Sequence, residues 1–154
     1  MTIRTRITLL LAASLLFSGS VLAGEEESEA QLEQNKEIVI AFYTAAINEK
    51  DFEAASQYLG DVYIQHNPLA ADGPEGLKAF IEWARVNAAT FEVEFKRVLA
   101  EGDFVVVHSH ARASPEDRGS AVMDIFRLED GKVVEHWDVI QAIPETAMNP
   151  NGMF

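Results

Sequence analysis

The spacing of apolar residues along the chain predicts three helices followed by strands. From residue 36 to about 47, apolar side chains recur every three or four positions, the period of a helix with one buried face. A shorter helix over 51–59 begins at a capping aspartate, and Gly60 ends it. A third helix over 74–90 has a proline at its first position. One strand, over 62–66, is expected in this half of the chain.

The C-terminal half alternates with period two and predicts an antiparallel meander. Its β-rich runs are 91–100, 104–113, 120–128 and 133–142. The Asp-Gly pair between the last two runs is a hairpin signal, since a tight turn needs residues that accept a positive φ. Helices followed by such a meander predict an α+β fold, in which three N-terminal helices pack on a curved, mainly antiparallel sheet.

The first 23 residues have the pattern of a secretory signal peptide. Arg4 and Arg6 precede an apolar stretch from Ile7 to Phe17, and small residues end the segment at Ala23. This stretch is shorter than the roughly 20 residues of a membrane span. We therefore expect cleavage after Ala23 and a periplasmic or secreted protein, which has no membrane contact once the signal is removed.

The segment after the predicted cleavage site is acidic. Residues 24–34 are rich in Glu and Ser and nearly free of apolar side chains, which predicts a flexible leader without structure. Residues 35–154 are predicted to form one domain. The chain has no cysteine, so no disulfide stabilises this domain.

The net charge makes nucleic acid an unfavourable partner. The chain has 12 Lys and Arg against 25 Asp and Glu, and its net charge of −13 becomes −15 when the two arginines of the signal are removed. Such a surface repels phosphate backbones and anionic lipid. The sequence also has no glycine-rich phosphate loop and no Gly-x-Ser-x-Gly nucleophile motif, and without cysteine there is no thiol catalysis.

Four segments of the chain together resemble one protein family. They are Tyr63–Pro68, Val107–His110, Val122–Arg127 and Gly131–Gln141. They are similar to the SnoaL-like polyketide-cyclase family, which belongs to the nuclear transport factor 2-like superfamily, and the resemblance runs from about Asn35 to Phe154. It implies a cone-shaped α+β barrel, open at one end, with a cavity between the helices and the concave face of the sheet.

The resemblance also indicates which functions this fold carries. Named members perform aldol closure, isomerisation or dehydration by proton transfer, without a metal or an organic cofactor. Other members of the superfamily only bind or dimerise, so the fold by itself does not assign a reaction. The resemblance therefore implies no cofactor, and the expected partner is a small apolar organic ligand or substrate.

The last predicted strand carries the first candidate chemistry. Alternation places His136 and Asp138 on one face, together with Val134 and Ile140. The carboxylate could orient the ring and keep it protonated, or the ring could hold the carboxylate ionised as a base. A buried pair that only fixes the strand register is the structural alternative.

The other histidines also lie in predicted strands. His108 and His110 share one face of their strand, which we expect to be the cavity side, and His66 and Asn67 end the first strand. In the resemblance this last place lies near the cavity, where ketosteroid isomerase has its catalytic aspartate just before a proline. Here His66 and Asn67 stand there, so a base has to come from elsewhere.

Asp124 is a second candidate base, because it lies between Val122 and Phe126 on one strand face, and an inward acid must be paired or neutralised. A buried structural acid is the alternative for this residue. The predicted catalytic residues are Asp138, His136, His66, His108 and Asp124, and the predicted substrate-binding residues are His110, Asn67, Gln65, Trp83 and Gln141.

A metal site is an alternative use of the histidines. His108 and His110, two apart on a strand, could present two imidazoles to one ion, with His66, His136 or Asp138 completing the site. Because metal-free chemistry is what the resemblance implies, we expect no metal.

Three functions remain open at this point. The first is an enzyme of the lyase or isomerase type, in which Asp138 or Asp124 is the base and a histidine polarises the oxygen of a small carbonyl compound. The second is a non-catalytic periplasmic module that binds an apolar ligand in the same cavity. The third is a structural dimerisation domain, which predicts no cavity of ligand size.

A homodimer is expected from apolar residues on the sheet face opposite the histidines. Val105, Val107 and Ala111 share one side of their strand there, and Trp137 and Val139 share one side of the last strand. A sheet face open to water should be polar, and no helix is left to cover this one. A second copy of the chain is the simplest cover.

Overall fold

The computed structural model describes residues 22–154, so most of the predicted signal peptide, residues 1–21, lies outside the described residues. The helices are α1 (Leu22–Tyr43), α2 (Phe52–Ser56) and α3 (Gly73–Asn87), and a π-helical segment, Thr44–Asn48, directly continues α1. The strands are β1 (Leu59–Gln65), β2 (Glu92–Glu101), β3 (Phe104–Arg112), β4 (Ser120–Glu129) and β5 (Lys132–Ala142).

The first helix begins earlier than the sequence predicts. Residues 24–34 are part of α1, so the expectation of an unstructured leader is wrong, because Glu, Ala, Gln and Leu have helix-compatible propensities. Asn35 is buried and donates from Nδ2 to the carbonyl oxygen of Gly102 at 3.2 Å, which fastens α1 to the β2–β3 turn. Within residues 22–154, no helix is long and apolar enough to cross a membrane.

The second helix is shorter than predicted, and β1 begins where a helix was expected to end. Asp51 caps α2, as predicted, by accepting the backbone N–H of Ala54 at 3.0 Å. Leu59 already pairs with Val133 of β5, so the predicted end of α2 is wrong. Gly60 belongs to β1, and a Cβ atom there would lie 2.7 Å from a methyl group of Val134. Glycine is needed here for a close approach of two strands and not to end a helix.

The five strands form one open, mainly antiparallel sheet. Their order is β1-β5-β4-β3-β2, in which β1 and β5 are parallel and all other pairs are antiparallel. The edge strands β1 and β2 do not pair, so the predicted barrel is not closed. Helices packed against this five-stranded sheet confirm the predicted α+β fold.

The core lies between the helices and one face of the sheet, the inner face. Phe42 of α1 packs edge-on against Phe126 of β4, with ring centroids 6.0 Å apart. Val105 and Val107 of β3 and Val133 of β5 are fully buried beneath the helices. The inner face is therefore the more apolar face of the central strands.

This orientation reverses the faces predicted for β3. Val105, Val107 and Ala111 point inward, whereas His108 and His110 lie on the opposite, outer face. The prediction that the histidines of β3 face the cavity, and that Val107 belongs to a dimer interface, is wrong. Burial of three aliphatic side chains outweighs any gain from burying two imidazoles, since buried polar groups must be paired.

Candidate functional site

A cavity of about 430 Å³ opens between the helices and the inner face of the sheet. Its volume is in the range of sites for small organic ligands, which contradicts the alternative of a purely structural domain without a cavity. Its walls are mainly apolar and include Ile47, Leu77, Phe80, Phe91, Val122 and Ile140.

A polar cluster lies on the sheet side of this cavity. Asp124 of β4 pairs in register with Asp138 of β5, and the neighbouring pair joins Phe126 to His136. One ligand atom from each of Asp124, His136 and Asp138 lies within 4.8 Å of the others. Two adjacent antiparallel strands thus place three titratable groups side by side on one face.

Asp124 is the buried member of this cluster, with 1% of its surface exposed. Its Oδ1 accepts from Tyr43 Oη at 3.1 Å, and its Oδ2 accepts from Ser109 Oγ at 3.4 Å. Burial raises the pKa of Asp124, and hydrogen bonds from His136 and Tyr43 act in the opposite direction. This carboxyl group is an internal acceptor that helix α1 and strand β3 hold in place.

His136 uses both of its ring nitrogens inside the protein. Gln65 Oε1 accepts the backbone N–H of Asn67 at 2.8 Å, which identifies that atom as the oxygen of the amide. His136 Nδ1 lies 3.1 Å from the same oxygen and therefore donates to it. Nε2 lies 3.2 Å from Asp124 Oδ1, so one proton is shared in that hydrogen bond. The pair formed by Asp124 and His136 has no net charge, whether the shared proton lies on the carboxyl group of Asp124 or on the ring of His136.

Asp138 is the carboxylate of the cluster that faces the cavity. Asn67 Nδ2 donates to both of its oxygens, at 2.9 and 2.7 Å, and Asn67 is in turn held because its Oδ1 accepts the backbone N–H of Leu69 at 2.8 Å. One amide nitrogen leaves most of the acceptor sites of a carboxylate free. Asp138 is half-buried and can therefore receive a proton from a bound molecule.

Two tyrosines complete the polar end of the cavity. Burial raises the pKa of both Tyr43 and Tyr63 above the ordinary value, and the charge of Asp124 adds to the effect. Both phenols therefore stay neutral and keep their hydrogens at neutral pH. Tyr43 donates its hydrogen to Asp124.

The cluster of Asp124, His136 and Asp138 also has ligand types that suit a divalent metal. An ion would have to displace the proton shared between His136 Nε2 and Asp124 Oδ1 and compete with Asn67 for Asp138. Because the ligand atoms of all three residues are already engaged in hydrogen bonds within the protein, the geometry fits proton chemistry better than metal binding.

The sequence profile of the SnoaL-like domain matches residues 39–136, which is more than half of the chain. The chain belongs to the SnoaL-like family. A comparison with curated proteins finds no match for the SnoaL-like domain.

Solved structures share the fold of the SnoaL-like domain at low sequence identity. A candidate polyketide cyclase from Bacillus cereus ATCC 10987 is 22% identical, with a TM-score of 0.59 over 70% of this chain and 74% of that one. A candidate isomerase of the SnoaL-like family from Agrobacterium tumefaciens str. C58 is 20% identical, with a TM-score of 0.61 over 71% of this chain and 99% of that one.

An epoxide hydrolase of the LEH-like type from M. tuberculosis is also similar. It is 20% identical to the SnoaL-like domain, with a TM-score of 0.58 over 72% of this chain and 85% of that one. The chemistries named for these three proteins differ, so the likeness establishes the fold and leaves the reaction to be inferred from the site.

Five of the ten predicted site residues come together in the SnoaL-like domain. His136, Asp138, Gln65 and Asn67 line the cavity, and Asp124 lies directly behind His136. Gln65 and Asn67 were predicted to bind substrate, but their hydrogen bonds go to His136 and Asp138, so they position these two side chains.

His66 lies outside the cavity, so its predicted catalytic place is wrong. Its Nε2–H donates to Glu135 Oε1 at 2.9 Å, and its ring stacks on Trp137 with centroids 4.6 Å apart. Arg127 also binds Glu135, and hydrogen bonds from His66 and Arg127 lower the pKa of Glu135. Strand alternation explains the error, because Gln65 points inward and its neighbour must point outward.

His108 and His110 meet the C-terminus of the chain on the outer face. Arg97 donates to His108 Nδ1 at 3.1 Å, and His110 Nε2–H donates to the carbonyl oxygen of Arg118 at 2.7 Å. The ring of Phe154 packs on both imidazoles, with centroids 5.4 and 4.7 Å away. Neither histidine can reach the cavity, which also rules out the metal site that was built on them.

The last two predicted contacts are also misplaced. Trp83 is 56% exposed on α3 and stacks on Phe80, which is the residue that lines the cavity. Gln141 is exposed near the end of β5, on the face opposite Ile140. Both errors arise because an aromatic or amide side chain was judged by its type and not by the direction in which its backbone points it.

Sequence reasoning missed Tyr43 and Ser109 as parts of the site. Ser109 is fully buried and interrupts the apolar row formed by Val105, Val107 and Ala111. A hydroxyl in an otherwise aliphatic row is a signal that a polar partner lies opposite, and here that partner is Asp124. Tyr43 gives no comparable signal, because aromatic residues are common on the buried face of any helix.

Proposed function

We propose that the SnoaL-like domain is a cofactor-independent acid/base enzyme that acts on a small, mainly apolar carbonyl compound, with Asp138 as the base. The observation that carries this proposal is the place of Asp138. Its carboxylate faces an apolar cavity of about 430 Å³, while the neighbouring pair of Asp124 and His136 is neutral and fully hydrogen-bonded. A carboxylate that lines a mainly apolar cavity beside a neutral pair can act as a general base.

The chemistry needs no other reactant. Asp138 would take a proton from the carbon next to the carbonyl group, and the electron pair of that C–H bond would form the enolate. The protonated Asp138 could then swap its proton with solvent and reprotonate the same carbon, which is exchange, or deliver its proton to another carbon, which is isomerisation. Attack of the enolate carbon on a second carbonyl group of the same molecule would break its C=O π bond, and the resulting alkoxide would take the proton from Asp138, which completes aldol closure. Asn67, bonded to both oxygens of Asp138, keeps the base in one orientation throughout.

Asp138→Asn is expected to abolish base catalysis, because an amide cannot accept the proton. A panel of simple ketones, incubated with the enzyme in D₂O and followed by proton NMR, would report exchange next to the carbonyl. We expect the variant to lose roughly 10²- to 10⁴-fold in exchange rate. Asp61→Asn, an exposed aspartate on β1, is the matched control and should keep the full rate.

An alternative is a binding module that leaves its ligand unchanged. It is favoured by one observation: both ring nitrogens of His136 are occupied by the protein, so this imidazole offers no free nitrogen to a substrate. A ligand that is recovered unchanged after long incubation, together with equal exchange rates for Asp138→Asn and the native protein, would establish the module and end the enzyme proposal.

Export of the domain is a further part of the proposal, supported by the N-terminal pattern of two arginines, an apolar stretch and small residues. Intact-mass measurement of protein recovered from the periplasm or medium should give a chain that begins at Gly24. A recovered chain that still carries Met1 would contradict export with cleavage.

A homodimer through the outer face of the sheet is also proposed, in which Val139 is kept from the sequence prediction and residues of β4 replace those of β3. Phe154 covers the β2–β3 side of that face, and apolar side chains stay open on the β4–β5 side. Met123 is 44% and Val139 is 71% exposed, beside Ile125. Exposed apolar patches of this kind mark interaction surfaces, and a second copy of the chain, which presents the same patch, can cover it across a two-fold axis.

Sedimentation at micromolar concentration should give twice the mass of one chain. Met123→Glu, which places a charge in the patch, should shift the protein to monomer while its far-UV circular dichroism stays unchanged. Glu94→Gln, an exposed side chain at the edge strand β2, should leave the dimer intact. A native protein that remains monomeric at millimolar concentration would refute this interface.

A further inference from the structure

The hydroxyl group of Tyr63 is a further hydrogen-bond donor at the polar end of the cavity. Tyr63 lies on β1, lines the cavity and is only 3% exposed. Its oxygen accepts a hydrogen bond from Gln65 Nε2 at 3.3 Å. Buried hydroxyl groups almost always donate as well as accept, so the hydrogen of Tyr63 needs a partner.

The hydrogen bonds of Gln65 determine which way this hydrogen can point. Because Asn67 N–H requires an oxygen at Gln65 Oε1, the amide cannot be turned around, and Nε2 must face Tyr63. Tyr63 is then the acceptor in that bond and has its own hydrogen left over. Within residues 22–154, the hydroxyl of Tyr63 donates no hydrogen bond to another residue, and it only accepts the one from Gln65. Tyr43 differs in this respect, since its hydrogen is taken by Asp124.

The charges around the cavity restrict what that hydrogen can bind. The lining residues of the described chain include no Lys or Arg. Asp138 carries a negative charge at the sheet side, and Asp117 carries another beside the β3–β4 loop, where the backbone N–H groups of Ala113 and Gly119 lower its pKa. A carboxylate or phosphate ligand would therefore enter without a counter-ion, at a high desolvation cost.

We propose that the Tyr63 hydroxyl binds the acceptor oxygen of an uncharged ligand, so that the cavity takes neutral carbonyl compounds and rejects their carboxylate-bearing counterparts. The choice of a carbonyl rests on the proposed function, whereas the donor and the charge selection follow from the hydrogen bonds and charges of the lining. The cavity volume of about 430 Å³ lies in the range of sites for small organic ligands.

Binding of a matched probe pair tests the charge selection without any turnover. The probes are 4-phenylcyclohexanone and 4-phenylcyclohexanecarboxylate, which share one apolar frame, and isothermal titration measures their affinities. We expect the ketone to bind at least about 100-fold more tightly than the carboxylate. Equal affinities, or a tighter carboxylate, would overturn the inference.

A ketone labelled with ¹³C at its carbonyl carbon tests the donor directly. A hydrogen bond to the oxygen moves this resonance downfield, so the ketone bound to the native protein should show that shift, and a resonance at the position of an apolar solvent would refute the donor. Tyr63→Phe should remove the shift and weaken ketone binding by about 2- to 10-fold. It should leave the affinity of phenylcyclohexane, which has no acceptor, unchanged.

Tyr58→Phe is the matched control, because Tyr58 packs against the core outside the cavity. It should leave both the ketone affinity and the carbon shift as they are in the native protein. If Tyr63→Phe does not fold, the inference is still tested by two measurements on the native protein, which are the ¹³C shift of the ketone and the ratio of the ketone and carboxylate affinities.

The outcomes separate this inference from the proposed enzyme. If the ketone binds with the expected shift but shows no proton exchange, the enzyme proposal fails and the assignment of Tyr63 stands. If exchange depends on Asp138 while the ¹³C shift does not depend on Tyr63, only the assignment of Tyr63 as the donor fails, and the enzyme proposal stands. If no ketone binds, both fail.

Discussion

Val107→Glu is expected to leave no folded protein at neutral pH. Val107 is fully buried in the core between β3 and the helices. A glutamate there would bury a carboxylate without a partner, or would hold it protonated against its ordinary pKa, at a cost of several kcal/mol. A domain of this size is stable by only about 5–15 kcal/mol. Far-UV circular dichroism and proton NMR dispersion should both show an unfolded chain.

The neighbouring substitution Val106→Glu is the matched control. Val106 has the same side chain and lies on the same strand, but it points to the outer face and is only partly buried. We expect it to fold with a loss of stability of about 1 kcal/mol or less. If Val107→Glu folded as well as Val106→Glu, the assignment of the two faces of β3 would be wrong.

Asp124→Ala is expected to destabilise the protein by about 3–5 kcal/mol, the typical cost of removing one partner from a buried charged pair. The substitution removes the acceptor of Tyr43 and Ser109 and leaves His136 without its partner on Nε2. Ser109 and His136 are buried and Tyr43 is partly buried, so water does not readily replace the lost carboxylate. Urea unfolding measures the loss as a shift of the midpoint.

Asp61→Ala provides the comparison for Asp124→Ala, since Asp61 is exposed on β1. Its effect should stay within about 0.5 kcal/mol. A loss below about 1 kcal/mol for Asp124→Ala would mean that this carboxyl group does not hold the cluster together. In that case the positions of His136 and Asp138 would have to be explained by the apolar packing around Phe126 alone.

Strands β2 to β5 and the start of α3 could be predicted closely from the sequence, because their boundaries depend on local properties. Alternation and the Asp-Gly turn located β4 and β5 to within a residue or two, and the proline near the start of α3 located that helix. The segment 24–34 was misjudged because a Glu-rich composition is compatible both with a mobile chain and with a helix. The expectation of a signal peptide and of cleavage after Ala23 stays a prediction.

The sequence by itself determined which residues share a strand face, since the side-chain period of a strand is two. It grouped His136 with Asp138 and His108 with His110 correctly. The sequence did not determine which face points inward, because that depends on which face of the sheet the helices pack against. The tertiary structure decided it by burying the aliphatic face of β3, which sent His108 and His110 outward.

The hydrogen bonds of the site were likewise decided only by the tertiary structure. Tyr43 is separated from Asp124 by 81 positions in the chain, and Gln65 is separated from His136 by 71. No local pattern connects residues so far apart, and only the packing of α1 and β1 on the sheet brings them into contact. The sequence could therefore name Asp124, His136 and Asp138 as candidates, while the partner of each one followed from the fold.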